Sequence, residues 1–192
     1  MSLATRSGRR ASQNELELTS LAHLLQDRGV TSYCEIGARH GDTFHFLMTQ
    51  LPPGSVGVAV DLPGALWGTE ASRASLKEAV ADLCGRGYKA SCLFGDSQTP
   101  AVQKLVMGRG PYDAMLIDGD HTLSGVTRDW EGYKGMAKLV AFHDIVGAGQ
   151  IEKVGGRPVE VPLLWASLRA KYPSREFIGE GSTMGIGVLE VG

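Results

Sequence analysis

Five short, mostly apolar runs, Tyr33–Ile36, Val56–Val60, Lys89–Phe94, Ala114–Ile117 and Leu139–Phe142, alternate with stretches patterned for helices. Nothing else in the chain constrains its fold as strongly. Strands that are apolar at nearly every position are covered on both faces, so the alternation predicts βαβ units and a parallel sheet between helical layers. Leu18, Leu21, Ala22 and Leu25 form one helical face ending at Gly29, in a helix opening near Asn14 with Glu17 as its capping partner. Further helical stretches are 43–50, a segment through Leu76, Val80 and Leu83 to Gly85, 100–107, and one through Val126, Trp130 and Tyr133. The last third changes: 162–172 reads as a helix, then Glu176–Ile178 and Met184–Val191 are joined by Gly-Glu-Gly-Ser, which suits an antiparallel hairpin at a sheet edge. The stretch 146–158 is too rich in glycine for regular structure and reads as a mobile loop.

At 192 residues, 43% apolar and 21% charged, one soluble α/β domain over 14–192 is expected, behind a disordered basic tail at 1–13. No apolar run approaches the roughly 20 residues of a membrane-spanning helix. Three of the 19 basic residues, Arg6, Arg9 and Arg10, lie in that tail and none of the 21 acids does, so the body is acidic, which argues against nucleic acid as the main partner. The tail lacks the apolar core of a secretory signal, and Cys34, Cys84 and Cys92 show no paired metal spacing; a reduced, cytoplasmic setting is expected.

Ligands of open α/β sheets bind beyond the carboxyl ends of the strands. Here those ends carry Glu35, Asp61, Asp96, Asp118 and Asp144. A single aspartate there is ordinarily a turn-maker or helix cap. Five acids on one rim cost repulsion, which a cation, a metal or a ligand rich in hydroxyls offsets. The turn Glu35-x-Gly37-x-x-x-Gly41 allows close backbone approach, and Asp61 lies at the strand end where a carboxylate accepts both hydroxyls of a ribose. Arg39 stands where dinucleotide enzymes have their middle glycine, which counts against NAD. Asp118 and Asp144 offer hard oxygen ligands for a divalent cation, and His121 an imidazole suited to take a proton near neutral pH. Equally open is a reading in which His121 caps the helix starting at Thr122 and His143 is simply buried and hydrogen-bonded.

Taken in order, Glu35-Ile-Gly37-x-x-x-Gly41, Val60-Asp61-x-Pro-Gly64, Gly95-Asp96-Ser97, Ile117-Asp118-Gly-Asp-His121 with Val126 and Asp129, and Phe142-His143-Asp144-Ile145 resemble class I S-adenosylmethionine-dependent methyltransferases. The resemblance covers about Ser32 to Ile145 and is strongest to the subgroup of cephalosporin-hydroxylase-like proteins and metal-dependent sugar O-methyltransferases. It implies a Rossmann-like three-layer sandwich with a seven-stranded, mostly parallel sheet and an antiparallel last strand. It also implies that Glu35, Gly37 and Gly41 border the methionine part of the cofactor, that Asp61 binds ribose, and that Asp96 and Ser97 face adenine. Asp118 matches a metal ligand bordering the cofactor, His121 the catalytic base, and His143 with Asp144 the remaining ligands. His143 replaces a carboxylate of those relatives, and a nitrogen ligand favours a softer divalent metal than Mg²⁺. Gly135-Met-Ala-Lys138 likewise departs from their Pro-Gly-Gly turn.

The activity implied is methyl transfer from S-adenosylmethionine to a hydroxyl of a small polar molecule, with Mg²⁺ or a similar divalent metal assisting. Two alternatives stand beside it: a non-catalytic S-adenosylmethionine-binding module and an NAD-type oxidoreductase. So short a chain leaves few insertions to cover a pocket. Cover is expected from the N-terminal segment, the 62–70 loop with Trp67, the 146–158 loop or a second subunit, so a homodimer is expected; neither nucleic acid nor membrane is.

Overall fold

The computed structural model describes residues 13–64, 69–147, 149–152 and 155–192. Of the N-terminal stretch only Gln13 is included, and Trp67 lies outside the described residues. The elements run α1 (Glu15–Asp27), β1 (Ser32–Ile36), α2 (Asp42–Gln50), β2 (Val56–Asp61), α3 (Glu70–Gly85), β3 (Lys89–Phe94) and α4 (Pro100–Met107). They continue as β4 (Tyr112–Ile117), α5 (Leu123–Tyr133), β5 (Ala137–His143), α6 (Val161–Arg169), β6 (Ser174–Phe177) and β7 (Ile186–Glu190).

One seven-stranded sheet results, in the order β3-β2-β1-β4-β5-β7-β6. The first five strands pair in parallel, and β7 pairs antiparallel with both β5 and β6. The expected edge hairpin is present, with β7 inside and β6 at the edge. Strand residues alternate between two apolar layers. Cys34, Ile36, Met115 and Ile117 pack with α4, α5 and α6, whereas Tyr33, Ala114 and Leu116 pack with α1, α2 and α3. This is the Rossmann-like α/β sandwich.

Glu17 does not cap its helix. The Asn14 side chain performs that task by accepting from Leu16 N–H. Glu17 is fully buried and accepts from the N–H groups of Gly179 (2.9 Å) and Gly185 (3.1 Å), in the link between β6 and β7. A glutamate in the first helical turn reads locally as a cap; its actual partners lie 162 and 168 residues away. The 146–158 stretch also carries more order than its glycines suggest. Ile151 bridges Pro158, Glu152 N–H donates to Arg157 C=O (2.8 Å), and Val159 N–H donates to Gln150 C=O (2.8 Å).

Glu17→Ala strands two buried N–H donors by removing both of their hydrogen bonds. It should cost about 2–4 kcal/mol, read as a lower urea midpoint.

Candidate active site

Parallel register sets the site. Ile36 is level with Val60 and with Ile117, Ile117 with Phe142, and Asp61 with Phe94. The strands therefore stop together, and Glu35, Asp61, Asp96, Asp118 and Asp144 all line one cleft of about 600 Å³.

The first turn is shaped by its neighbours. Gly37 has φ +89°, and a Cβ there would collide with the Asp118 carbonyl, so this glycine lets the ends of β1 and β4 touch. Gly37 and Ala38 both donate to Val60 C=O. Arg39, at φ +46°, turns its own N–H onto Asp61 Oδ1 at 2.9 Å. Asp61 Oδ2 is buried without a hydrogen-bond partner and so offers a free acceptor. Gly41 stands apart from the cleft wall: at φ +80°, its missing Cβ would lie 2.7 Å from Leu76 Cδ1, so it serves the packing of α2 against α3. Glu35 is buried and accepts from the Tyr33 hydroxyl at 2.6 Å. Burial pushes its carboxyl up to about 8; the Tyr33 bond opposes this, and the charges of Asp118, Asp42 and Asp61 add to it.

At the opposite end, Asp96 Oδ1 accepts from Gln98 N–H (2.9 Å) and stays on the cleft wall. Ser97 also lines the cleft, but its hydroxyl donates to Asp129 Oδ1 at 2.7 Å. Asp129 is fully buried under the Gly119 turn, and burial raises its carboxyl to about 6.

The third group gathers around Asp118. His143 Nδ1 is 3.2 Å from Asp118 Oδ1 and 3.5 Å from Asp144 Oδ1; His121 Nε2 is 3.4 Å from Asp118 Oδ1. Thr122, not His121, caps α5, by accepting from Gly125 N–H. Asp120 braces that cap by accepting from Thr122 N–H and Oγ1. Burial pushes the Asp118 carboxyl up, but His143 and His121 overcome it and hold the group well below the usual carboxylate range. Burial pushes both imidazoles down, and the surrounding carboxylates reverse this, raising His121 and lifting His143 well above the ordinary range. Asp144 has φ +60°, a left-handed conformation that aspartate tolerates, and strain of this kind concentrates at functional sites. Asp118, His143 and Asp144 each offer one donor atom, all within 4.8 Å of one another. Two carboxylate oxygens and an imidazole nitrogen fit a divalent transition metal better than Mg²⁺.

Two further residues join the cluster without a local signal in the sequence. Gln13 donates from Nε2 to Asp118 Oδ2 (3.0 Å) and accepts from Thr43 Oγ1 (2.5 Å). Glu152, in the Gly-rich loop, brings Oε1 within 3.0 Å of His121 Nδ1.

No protein-family model and no curated protein matches this sequence. Solved structures do share its fold. The Bacillus cereus O-methyltransferase in complex with SAH superposes with a TM-score of 0.70 at 15% identity, covering 94% of this chain and 83% of that one. TomG, the Streptomyces achromogenes O-methyltransferase of tomaymycin synthesis in complex with SAM, gives 0.70 at 16% identity over 94% and 82%. A putative caffeoyl-CoA O-methyltransferase from Staphylococcus aureus gives 0.70 at 14% identity over 95% and 86%. At such identities the likeness defines the architecture, that of the class I methyltransferase fold.

The Asp129 environment has a consequence for stability. Between about pH 4 and 6 the folded chain keeps a proton that the unfolded chain releases, so stability falls as pH rises through that window. The loss is about 3 kcal/mol at ~1.4 kcal/mol per unit. Asp129→Asn should flatten that part of the profile, measured by urea unfolding at pH 4 and pH 7.

Proposed function

We propose that the protein transfers the methyl group of S-adenosylmethionine to a hydroxyl of a small polar molecule. The observation that carries this reading is the gathering of five strand-terminal acids and His121 around one cleft, on a fold shared with O-methyltransferases. The cofactor fits the residues present. Asp61 Oδ2, a buried acceptor without a partner, suits a ribose hydroxyl, with Glu35, Gly37 and Asp118 toward the methionine part and Asp96 with Ser97 toward adenine. Gly41 acts on this site only through the packing of α2.

S-Adenosylmethionine supplies an electrophilic methyl group on a sulfonium. The chain's tasks are to align the acceptor oxygen with it, to exclude water and to remove the hydroxyl proton. Alignment of this kind is worth up to roughly 7–11 kcal/mol. His121, on the cleft wall beside Asp118, is the base in this reading. Asp118, His143 and Asp144 would hold a divalent metal, whose Lewis acidity lowers the pKa of a bound hydroxyl.

The setting assigned is cytoplasmic, on three thiols none of which is disulfide-bonded. Among the described residues no helix is long and apolar enough to cross a membrane. The partner assigned is the small molecule itself, with a homodimer covering the cleft mouth and with neither nucleic acid nor lipid as substrate.

His121→Ala should slow turnover about 10²–10⁴-fold and leave S-adenosylhomocysteine affinity within about twofold, by calorimetry. Because its carboxylate neighbours raise the His121 pKa, the neutral imidazole dominates only above the ordinary value. The wild-type rate should therefore climb with pH beyond about 6.5, and a flat profile argues against this base. Asp61→Ala should do the converse, weakening S-adenosylhomocysteine binding about tenfold or more; unchanged affinity removes the ribose assignment.

A further inference from the structure

The link between β3 and α4 forms one wall of the cleft, through Asp96, Ser97 and Gln98, and it is fastened to α5 at three points. Tyr133 donates its hydroxyl to Ser97 C=O at 2.7 Å, Ser97 Oγ donates to Asp129 Oδ1 at 2.7 Å, and Gln98 Nε2 donates to Gly125 C=O at 3.2 Å. The last two bonds share a direction: each draws a side-chain hydrogen into α5. A hydroxyl has one hydrogen to give, and once Asp129 takes it Ser97 Oγ has only lone pairs left for a ligand. An amide whose nitrogen is spent on a helix carbonyl keeps its oxygen, Oε1, as an acceptor. Asp96, whose Oδ1 accepts from Gln98 N–H at 2.9 Å, is an acceptor at both oxygens. The side chains of this wall therefore leave acceptors for a ligand.

Asp129 holds Ser97 in that state. It is fully buried on α5, behind the wall rather than on it. Burial raises its carboxyl to about 6, with the Ser97 hydroxyl and the Gln98 amide pulling the other way, so at pH 8 it is a carboxylate and can only accept. Arg128, which reaches the cleft from the same helix, spends its Nε on Ser124 C=O at 3.2 Å.

We propose that Asp129 is a positioning residue that makes this wall selective for a 6-amino purine: by holding the Ser97 hydrogen it leaves Ser97 Oγ to accept from the exocyclic amino group of the base. A 6-oxo purine presents a carbonyl oxygen at the same edge, where acceptor would meet acceptor. A site built to hydrogen-bond one partner rejects the analogue that cannot return those bonds, because its own polar groups are left unpaired. The proposal deepens the assignment of this end of the cleft to the adenosyl group and rests on it.

Calorimetric titration of the full chain at pH 8 with S-adenosylhomocysteine and with its 6-oxo counterpart, S-inosylhomocysteine, reads the selectivity as a ratio of affinities. Wild type should favour the amino compound about 10²-fold or more. Asp129→Ala frees the Ser97 hydrogen to turn toward the ligand and should narrow that ratio about tenfold; Asp129→Asn, which can still accept, should restore part of it. Ser97→Ala removes the acceptor itself and should narrow the ratio by a similar factor, and in that background Asp129→Ala should narrow it no further. A loss of packing alone would weaken both compounds alike and leave the ratio in place. Equal affinity of the wild type for the two compounds overturns the proposal and leaves the cofactor reading standing. A ratio unmoved by Asp129→Ala or, should that variant fail to fold, by Ser97→Ala overturns it as well. Adenosine and inosine are titrated in parallel. Preference for adenosine over inosine, with no binding of S-adenosylhomocysteine, counts against the methyl-donor reading and leaves the selectivity of the wall supported. Binding of none of the four compounds overturns both.

Discussion

Asp118, set between two imidazoles, resolves the problem that this sheet creates for itself. Parallel strands ending in register bring their terminal residues together, and here those residues are acids. Like carboxylates within a few ångströms resist common ionisation. Around Asp118 the answer is countercharge: His143 at 3.2 Å and His121 at 3.4 Å hold its carboxyl well below the usual range, and the carboxylates in turn raise both imidazoles. At Glu35 the answer is the opposite one. Among the described residues a tyrosine hydroxyl alone hydrogen-bonds its charge, and burial pushes that carboxyl up to about 8. One rim therefore presents a neutral acid beside a dense cluster of ion pairs, and a ligand meets both.

The fold was legible because its signals are local. Strand-sized apolar runs, glycines closing helices and an acid at each strand end all act within a few residues, and the runs fell on β1 to β5 with ends displaced by at most two positions. Convergence of those acids then followed from topology. What stayed hidden depends on distant pairing. Glu17 has the look of a helix cap but anchors the β6–β7 link; Glu152 sits in a stretch whose glycines mask an ordered ladder; Gln13, the last residue of the stretch expected to be a disordered tail, bonds to Asp118. Glycines also proved ambiguous: Gly37 and Gly41 both need positive φ, one for contact between strand ends and one for helix packing.

That ambiguity bears on the rival readings. A glycine turn after the first strand is the usual argument for a pyrophosphate site, but Gly37 is required here by Asp118 of the same chain. Arg39, where a dinucleotide fold would have glycine, adopts the left-handed conformation and spends its N–H on Asp61. The carboxylate, rather than a phosphate, organises this turn. A binding module that had lost its chemistry would not need the other half of the cleft. Yet His143 keeps a donor atom within reach of Asp118 and Asp144, and His121 keeps carboxylates on both ring nitrogens.

The cost of so small a scaffold falls on its loops. The connection between β5 and α6 contributes Asp144 and Arg157 to the lining of the cleft and sets Glu152 beside His121. Its ladder holds few apolar contacts, and Ile151 within it is 61% exposed. Segments stabilised mainly by backbone bonds open at lower free energy than a core does. Arg157 and Glu152 tie this one to Asp120 and His121 by ion pairs. Such ties weaken with ionic strength where they are exposed and hold where they are buried. Glu152, nearly inaccessible, belongs to the second kind, and its Oε1 brings the loop within 3.0 Å of the His121 ring.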